Sequence, residues 1–178
     1  PPPYSSAASD VYKRQPRYTC PGSFPGPTPS SSINPMEKID VYGVCNPLID
    51  LLCHIPDEFL QQWDLEKNRM YLVSTDRQHS ILKELENRSI KIEHAAGGSG
   101  ANTMIGSAQL GGHSAFTGKI GFDPRGDQYR NDLEDKGVKA ALGAGEGMTG
   151  SSLILVSNDG SRTMNTHLGM CQELEPND

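Results

Sequence analysis

Residues 89–110, SIKIEHAAGGSGANTMIGSAQL, change character twice within one short stretch. SIKIEHA has the β-branched content of a strand, MIGSAQL has helical spacing, and Gly97, Gly98 and Gly100 stand between them, where they let the backbone turn tightly. A strand that runs through glycine straight into a helix commits the chain to a layered α/β fold, because the helix must pack its apolar face on a sheet. Three things can be held at such a turn. A dinucleotide needs G-x-G-x-x-G and an acid about 20 residues on, but Thr103 stands at the third glycine position and the next acid is Asp123. A triphosphate P-loop needs Gly-Lys-Ser/Thr, and Gly118-Lys119 is followed by Ile120. What remains is either close packing alone or a neutral, hydroxyl-rich ligand such as a sugar or nucleoside. Ser99 and Asn102, polar groups at the helix start, suit the second.

The surrounding chain alternates strands with helices. IDVYGVCN (39–46) is an apolar strand that stops at Asn-Pro, and LIDLLCHI (48–55) is a second extended piece whose one charge is Asp50. That carboxylate can accept hydrogen bonds from two vicinal hydroxyls, or it can be an ordinary acid after a turn. PDEFLQQW opens a short helix with proline and two acids, and MYLV is a short strand. Ser74 or Thr75 caps the helix DRQHSILKELEN, in which Ile81, Leu82 and Leu85 share a face. SAFTGKI (114–120) is a strand, Asp-Pro-Arg-Gly (123–126) a turn, and the helix after it places Tyr129 and Leu133 on one face and ends at Gly137. Gly143-Ala144-Gly145-Glu146 reads as a flexible loop. Residues 152–168 are two extended segments joined by Asn158-Asp159-Gly160, a hairpin signal. This hairpin and the 48–55 segment are expected to form a small sheet appended to the α/β layers.

Residues 1–35 are set apart. SSAASDVYKRQ (5–15) back-translates as a transposon-based sequencing adapter, and the flanking residues are rich in Pro, Ser and Gly without periodicity. We expect a non-native or disordered leader there and a start at Met36. The whole chain has 16 basic and 22 acidic side chains, and setting aside Lys13, Arg14, Arg17 and Asp10 leaves 13 against 21. So acidic a chain is a poor partner for nucleic acid or an anionic membrane. No apolar run approaches the ~20 residues that span a bilayer. Cys45, Cys53 and Cys171 show no CxxC or His at metal-ligand spacing, which is free-thiol usage and points to the cytoplasm.

In combination, GVCNPLID (43–50), AGGSGAN (96–102), GKIGFDPRGDQYRNDLEDKGV (118–138) and TGSSLILVSNDGSRTMNTHL (149–168) resemble the ribokinase family, the PfkB carbohydrate kinases, in order across residues 38–174. Asn-Pro-Leu-Ile-Asp leans toward the adenosine kinase branch. The resemblance implies a ribokinase-like three-layer α/β sandwich with a small β-sheet lid, truncated before the C-terminal half. It implies an ATP- and Mg2+-dependent kinase acting on a primary hydroxyl of a nucleoside or sugar, such as adenosine, ribose, fructose or a ketodeoxy sugar acid. In it Asp50 binds sugar hydroxyls, Asn46 shapes the pocket, and Gly97, Gly98, Ser99 and Asn102 close around the sugar. Arg162 resembles a lid arginine that approaches the transferring phosphate, although an exposed hairpin arginine is equally a solvated charge. Met164, Thr166 and Leu168 are the lid's pocket neighbours.

The sequence departs from the family pattern in several places. Cys45 replaces a common glycine, and Gly100 sits where a bulkier residue is frequent. The catalytic Gly-Ala-Gly-Asp is absent, and with it the magnesium-associated Asn-x-x-Glu that precedes it in the family, since the Asn-x-x-Glu spacings at 34–37 and 131–134 have no Gly-Ala-Gly-Asp after them. Residues 36–178 therefore read as the substrate-binding part, with no catalytic base and no metal ligand, inactive alone, and with ATP and Mg2+ held mainly by the missing half. A homodimer through the lid, or a non-catalytic sugar-binding or dimerisation module, is the other reading.

Overall fold

The computed structural model describes residues 38–176, so the expected leader at 1–35 and the start at Met36 lie outside the described residues. Two sheets organise what is described. The first is parallel and three-stranded, in the order β1-β5-β6, from β1 (Val41–Val44), β5 (Ser114–Gly121) and β6 (Val138–Gly145). The second is mixed and five-stranded, in the order β3-β8-β7-β2-β4. Its members are β2 (Leu48–His54), β3 (Met70–Leu72), β4 (Ile92–Gly97), β7 (Gly150–Val156) and β8 (Arg162–His167). Helices α1 (Asp57–Gln62), α2 (Thr75–Asn87), α3 (Ser99–Gln109) and α4 (Pro124–Glu134) connect the strands.

Local chemistry sets most of the element ends. The Ser74 hydroxyl accepts from the Arg77 backbone N–H at 3.3 Å and caps α2. Asp123 caps α4, accepting from the Gly126 N–H at 2.8 Å, with Pro124 in the first helical position. The expected Asp-Pro-Arg-Gly turn is therefore this helix's cap and first turn. The hairpin falls where Asn-Asp-Gly places it: β7 and β8 pair antiparallel, and Gly160 takes φ +80° in the turn.

The core follows from alternation in β2, where Ile49, Leu51 and Cys53 are buried while Asp50 and Leu52 are half-buried. The buried set joins Leu153 and Leu155 of β7, Phe59 and Leu60 of α1, and Ile81 and Leu85 of α2 in one cluster. Each such side chain contributes about 1.5–3 kcal/mol on burial. A buried polar seam locks α2 to the same face: Gln78 donates to the backbone oxygens of Ser151 at 3.2 Å and Asn165 at 2.9 Å, and the Ser151 hydroxyl donates to Gln78 at 2.8 Å. One face of the five-stranded sheet is thus covered by helices, which leaves the other to carry Asp50.

Two expectations are corrected. Gly143-Ala144-Gly145 is not a flexible loop but the end of β6, paired in register with Lys119, Ile120 and Gly121. Glycine serves close approach there, since a Cβ on Gly145 would come within 2.6 Å of the Met170 methyl carbon. The appended sheet is also larger than the hairpin and the 48–55 segment, because β3 and β4 belong to it: β4 runs antiparallel to β2, and β3 parallel to β8.

Candidate functional site

The site lies where strands of the second sheet pass into the first layer. Cross-strand register puts Ala95, Asp50, Ser152, Thr166 and Leu72 in one row across the second sheet, on the face away from α2. Residues directly opposite in neighbouring strands point to the same side, so the Asp50 carboxylate shares its face with two hydroxyls. Those hydroxyls, on Ser152 and Thr166, are 3.0 Å apart and hydrogen-bonded. Ser152 is a neighbour of Asp50 that the motifs do not announce. Its sequence signal is a polar residue in SSLILV at the alternation that faces with Asp50.

The glycine cluster closes on this row. A side chain on Gly97 would run directly into the Asp50 carboxylate, so the carboxylate fills the space that glycine leaves open. Gly98 takes φ +92° at the N-cap of α3, and a Cβ there would approach the Asn46 carbonyl oxygen to 3.4 Å. Ser99 and Asn102 lie exposed on the first turn of α3. The end of β4 is held from beneath: the Tyr129 hydroxyl donates to the Gly97 carbonyl at 3.3 Å, and Asp132 accepts from the Ala96 N–H at 3.1 Å. Burial first, then the nearby Cys171, Cys45 and Asp50, push the Tyr129 phenol far above its ordinary value. It is therefore a fixed neutral donor.

The sequence-predicted residues thus divide. Asn46, Asp50, Gly97, Gly98, Ser99 and Asn102 come together at one junction. Thr166 joins them through the Asp50 row, and Met164 stands one row further out, opposite Ile154. Leu168 sits at the base, its carbonyl against Gly150, at the start of the short 3-10 turn Gly169–Glu173. Arg162 is on the same face but opposite Val156, which in turn pairs with His54. Four residues along and two strands across place it about 16 Å from Asp50 at ordinary strand spacings. The sheet does not bring Arg162 to the row.

The loop between β6 and β7 is clamped by Asp123. Its carboxylate accepts from the Thr149 N–H at 2.9 Å and the Thr149 hydroxyl at 2.6 Å, and that hydroxyl accepts from the Gly121 N–H at 3.0 Å. Burial raises the Asp123 pKa, but the hydrogen bonds from Thr149 and Gly126 and the charge of Arg125 outweigh it, so the net shift is downward. Among the described residues no three His, Cys, Asp or Glu side chains converge to hold a metal ion. The donor set that a magnesium ion prefers, several carboxylate or carbonyl oxygens, is not assembled at this site among the described residues. No helix among the described residues is long and apolar enough to cross a membrane.

Residues 66–178 match the family model described as pfkB family carbohydrate kinase. Among curated proteins the chain is similar to adenosine kinase of Saccharomyces cerevisiae, 28% identical over 137 residues that cover 74% of this chain and 40% of that protein. It is also 29% identical to adenosine kinase 2 of Arabidopsis thaliana over 54% of this chain and 28% of that protein. Probable fructokinase-2 of the same plant is 36% identical over 38% of this chain and 21% of that protein. Among solved structures, adenosine kinase from Sinorhizobium meliloti matches with a TM-score of 0.68 at 36% identity, over 80% of this chain and 43% of that one. Adenosine kinase from Schistosoma mansoni in complex with 2-fluoroadenosine matches with a TM-score of 0.68 at 27% identity, over 75% of this chain and 40% of that one. The chain thus spans less than half the length of these relatives, and its fold is ribokinase-like. It belongs to the pfkB family of carbohydrate kinases.

Proposed function

We propose that this chain carries the substrate-binding part of an ATP-dependent kinase that phosphorylates a primary hydroxyl of a nucleoside, with adenosine the first candidate. The observation that carries the reading is the Asp50 carboxylate set against Gly97, in one row with the Ser152 and Thr166 hydroxyls and next to the first turn of α3. A carboxylate there accepts from two vicinal hydroxyls of a ribose, and charge-assisted bonds of this kind are about twice as strong as neutral ones. Asn46, Ser99 and Asn102 supply further polar partners at the ring. ATP and magnesium are held mainly by residues outside those described. The product leaves as a phosphate monoester, and catalysis is mostly positioning and charge stabilisation.

The similarity to fructokinases supports a second reading, a sugar kinase using the same carboxylate on sugar hydroxyls. Calorimetry on the full-length protein with adenosine, ribose and fructose separates the two by which ligand binds. Asp50→Ala should weaken the preferred ligand by roughly tenfold to more than a hundredfold, because a hydrogen bond to a charged acceptor is worth about 1.5–3 kcal/mol. Unchanged affinity in that variant would make Asp50 an ordinary turn acid and remove the basis of the proposal.

A further inference from the structure

The fold puts Cys45 and Gly100 against each other. We propose that they act as one size-coupled pair that sets the wall of the pocket beside Asp50, and through it which hydroxyl-bearing ring the site accepts. The inference rests on the substrate reading above. Gly100 lies in the first turn of α3 and Cys45 in the turn between β1 and β2. A Cβ on Gly100 would overlap the Cys45 sulfur and come within 2.6 Å of the Cys45 Cβ, with the Phe116 ring 3.4 Å away on another side. Rotating the thiol away relieves only the sulfur contact. The Cβ contact is fixed by the backbone, so position 100 and position 45 compete for one volume.

Neither backbone can yield easily. The Cys45 N–H donates to the Thr117 carbonyl at 3.1 Å, and its own carbonyl is packed against Gly118, where any Cβ would collide with it. Pro47 is held by the Cys171 thiol, which donates to its carbonyl at 3.2 Å. A side chain at 100 must therefore push either the 45–47 turn, which carries Asn46 and leads into Asp50, or the first turn of α3, which carries Ser99 and Asn102. Both routes move the polar groups around the ligand. Exchanging the pair, with glycine at 45 and alanine at 100, fills the same volume from the helix side and leaves a differently shaped wall.

The test is a double-mutant cycle in the full-length protein, read by thermal denaturation without ligand and by kcat/KM for adenosine, ribose and fructose. Cys45→Gly/Gly100→Ala should recover most of the Tm that Gly100→Ala loses. Gly100→Ala alone should cut kcat/KM for the preferred substrate at least tenfold, and the double variant should change the ratio between two of the three substrates at least fivefold. Should Gly100→Ala fail to fold while the double variant folds, the coupling is shown in its strongest form. Additive Tm effects, or a neutral Gly100→Ala, would overturn the coupling. Recovery of Tm with an unchanged substrate ranking would overturn the specificity role. If the wild-type protein uses none of the three substrates, the functional reading fails and the specificity role falls with it, whatever the Tm cycle shows.

Discussion

Asp123 shows how much one side chain can hold at this junction. It caps α4 and ties down Thr149, the residue before β7, so one carboxylate fixes both a helix start and the passage between the two sheets. Its folded pKa lies below the ordinary 3.8. The stabilisation is therefore fully present above about pH 4 and is lost as pH falls through the lower, folded value. Denaturant melts between pH 7 and pH 3 should show this loss in the wild type and a flatter profile in Asp123→Asn. That variant should also be less stable at pH 7 by about 1–3 kcal/mol, since it turns two acceptor oxygens into one acceptor and a donor that meets other donors. A pH profile unchanged by the substitution would place the acid-sensitive step elsewhere. The sequence shows Asp123 only as a turn residue, because Thr149 is 26 positions away and only the fold makes it a partner.

At the scale of elements, the five-stranded sheet carries its candidate polar groups at different distances along the strands. Asp50 and Thr166 stand at its base, and Arg162 near the hairpin turn on the same face. We propose that the hairpin end of this sheet bends over the bound substrate, which would bring a guanidinium about 16 Å out by strand spacing to the transferring phosphate. Its contribution should then grow toward the transition state. In the full-length enzyme Arg162→Ala is expected to lower kcat by tenfold or more while the Kd for adenosine, measured without ATP, changes less than threefold. Arg162→Lys should rescue in part, keeping the charge but losing the planar fork that matches phosphate oxygens. Weak binding with normal turnover at saturation would make Arg162 a substrate contact or a residue that folds the hairpin. β6 could not be read from its own residues, because VKAALGAG lacks the β-branched density of a strand. It is a strand because β5 offers it a full parallel register.

For the whole molecule, we propose that the described residues form a binding junction and that the catalytic base comes from residues outside them. The 178-residue chain incubated with ATP, magnesium and adenosine, ribose or fructose should leave each substrate unchanged, and turnover above a blank would relocate the active site into these residues. β1 lies at the edge of its sheet, pairing only with β5 among the described residues, and it exposes Tyr42 (56%) and Val44 (59%). Such an edge is a template for pairing with a second chain. Light scattering of this chain at rising concentration should therefore report association that a Val44→Lys variant reduces.

The sequence by itself determined the elements whose information is local. These are the strand–glycine–helix turn, a helix cap at Ser74 or Thr75, the Asn-Asp-Gly hairpin and the extended 48–55 segment. Each rests on backbone conformation or on spacing within one turn or one strand, which neighbouring residues fix. Only the tertiary structure decided which sheet β4 joins, that the Gly-Ala-Gly run is a strand, that Ser152 and Thr166 flank the Asp50 row, and that Cys45 and Gly100 share one volume. Those are contacts between segments far apart in the chain. They are set by which backbones can approach closely enough to pair or collide, and no local pattern carries that distance.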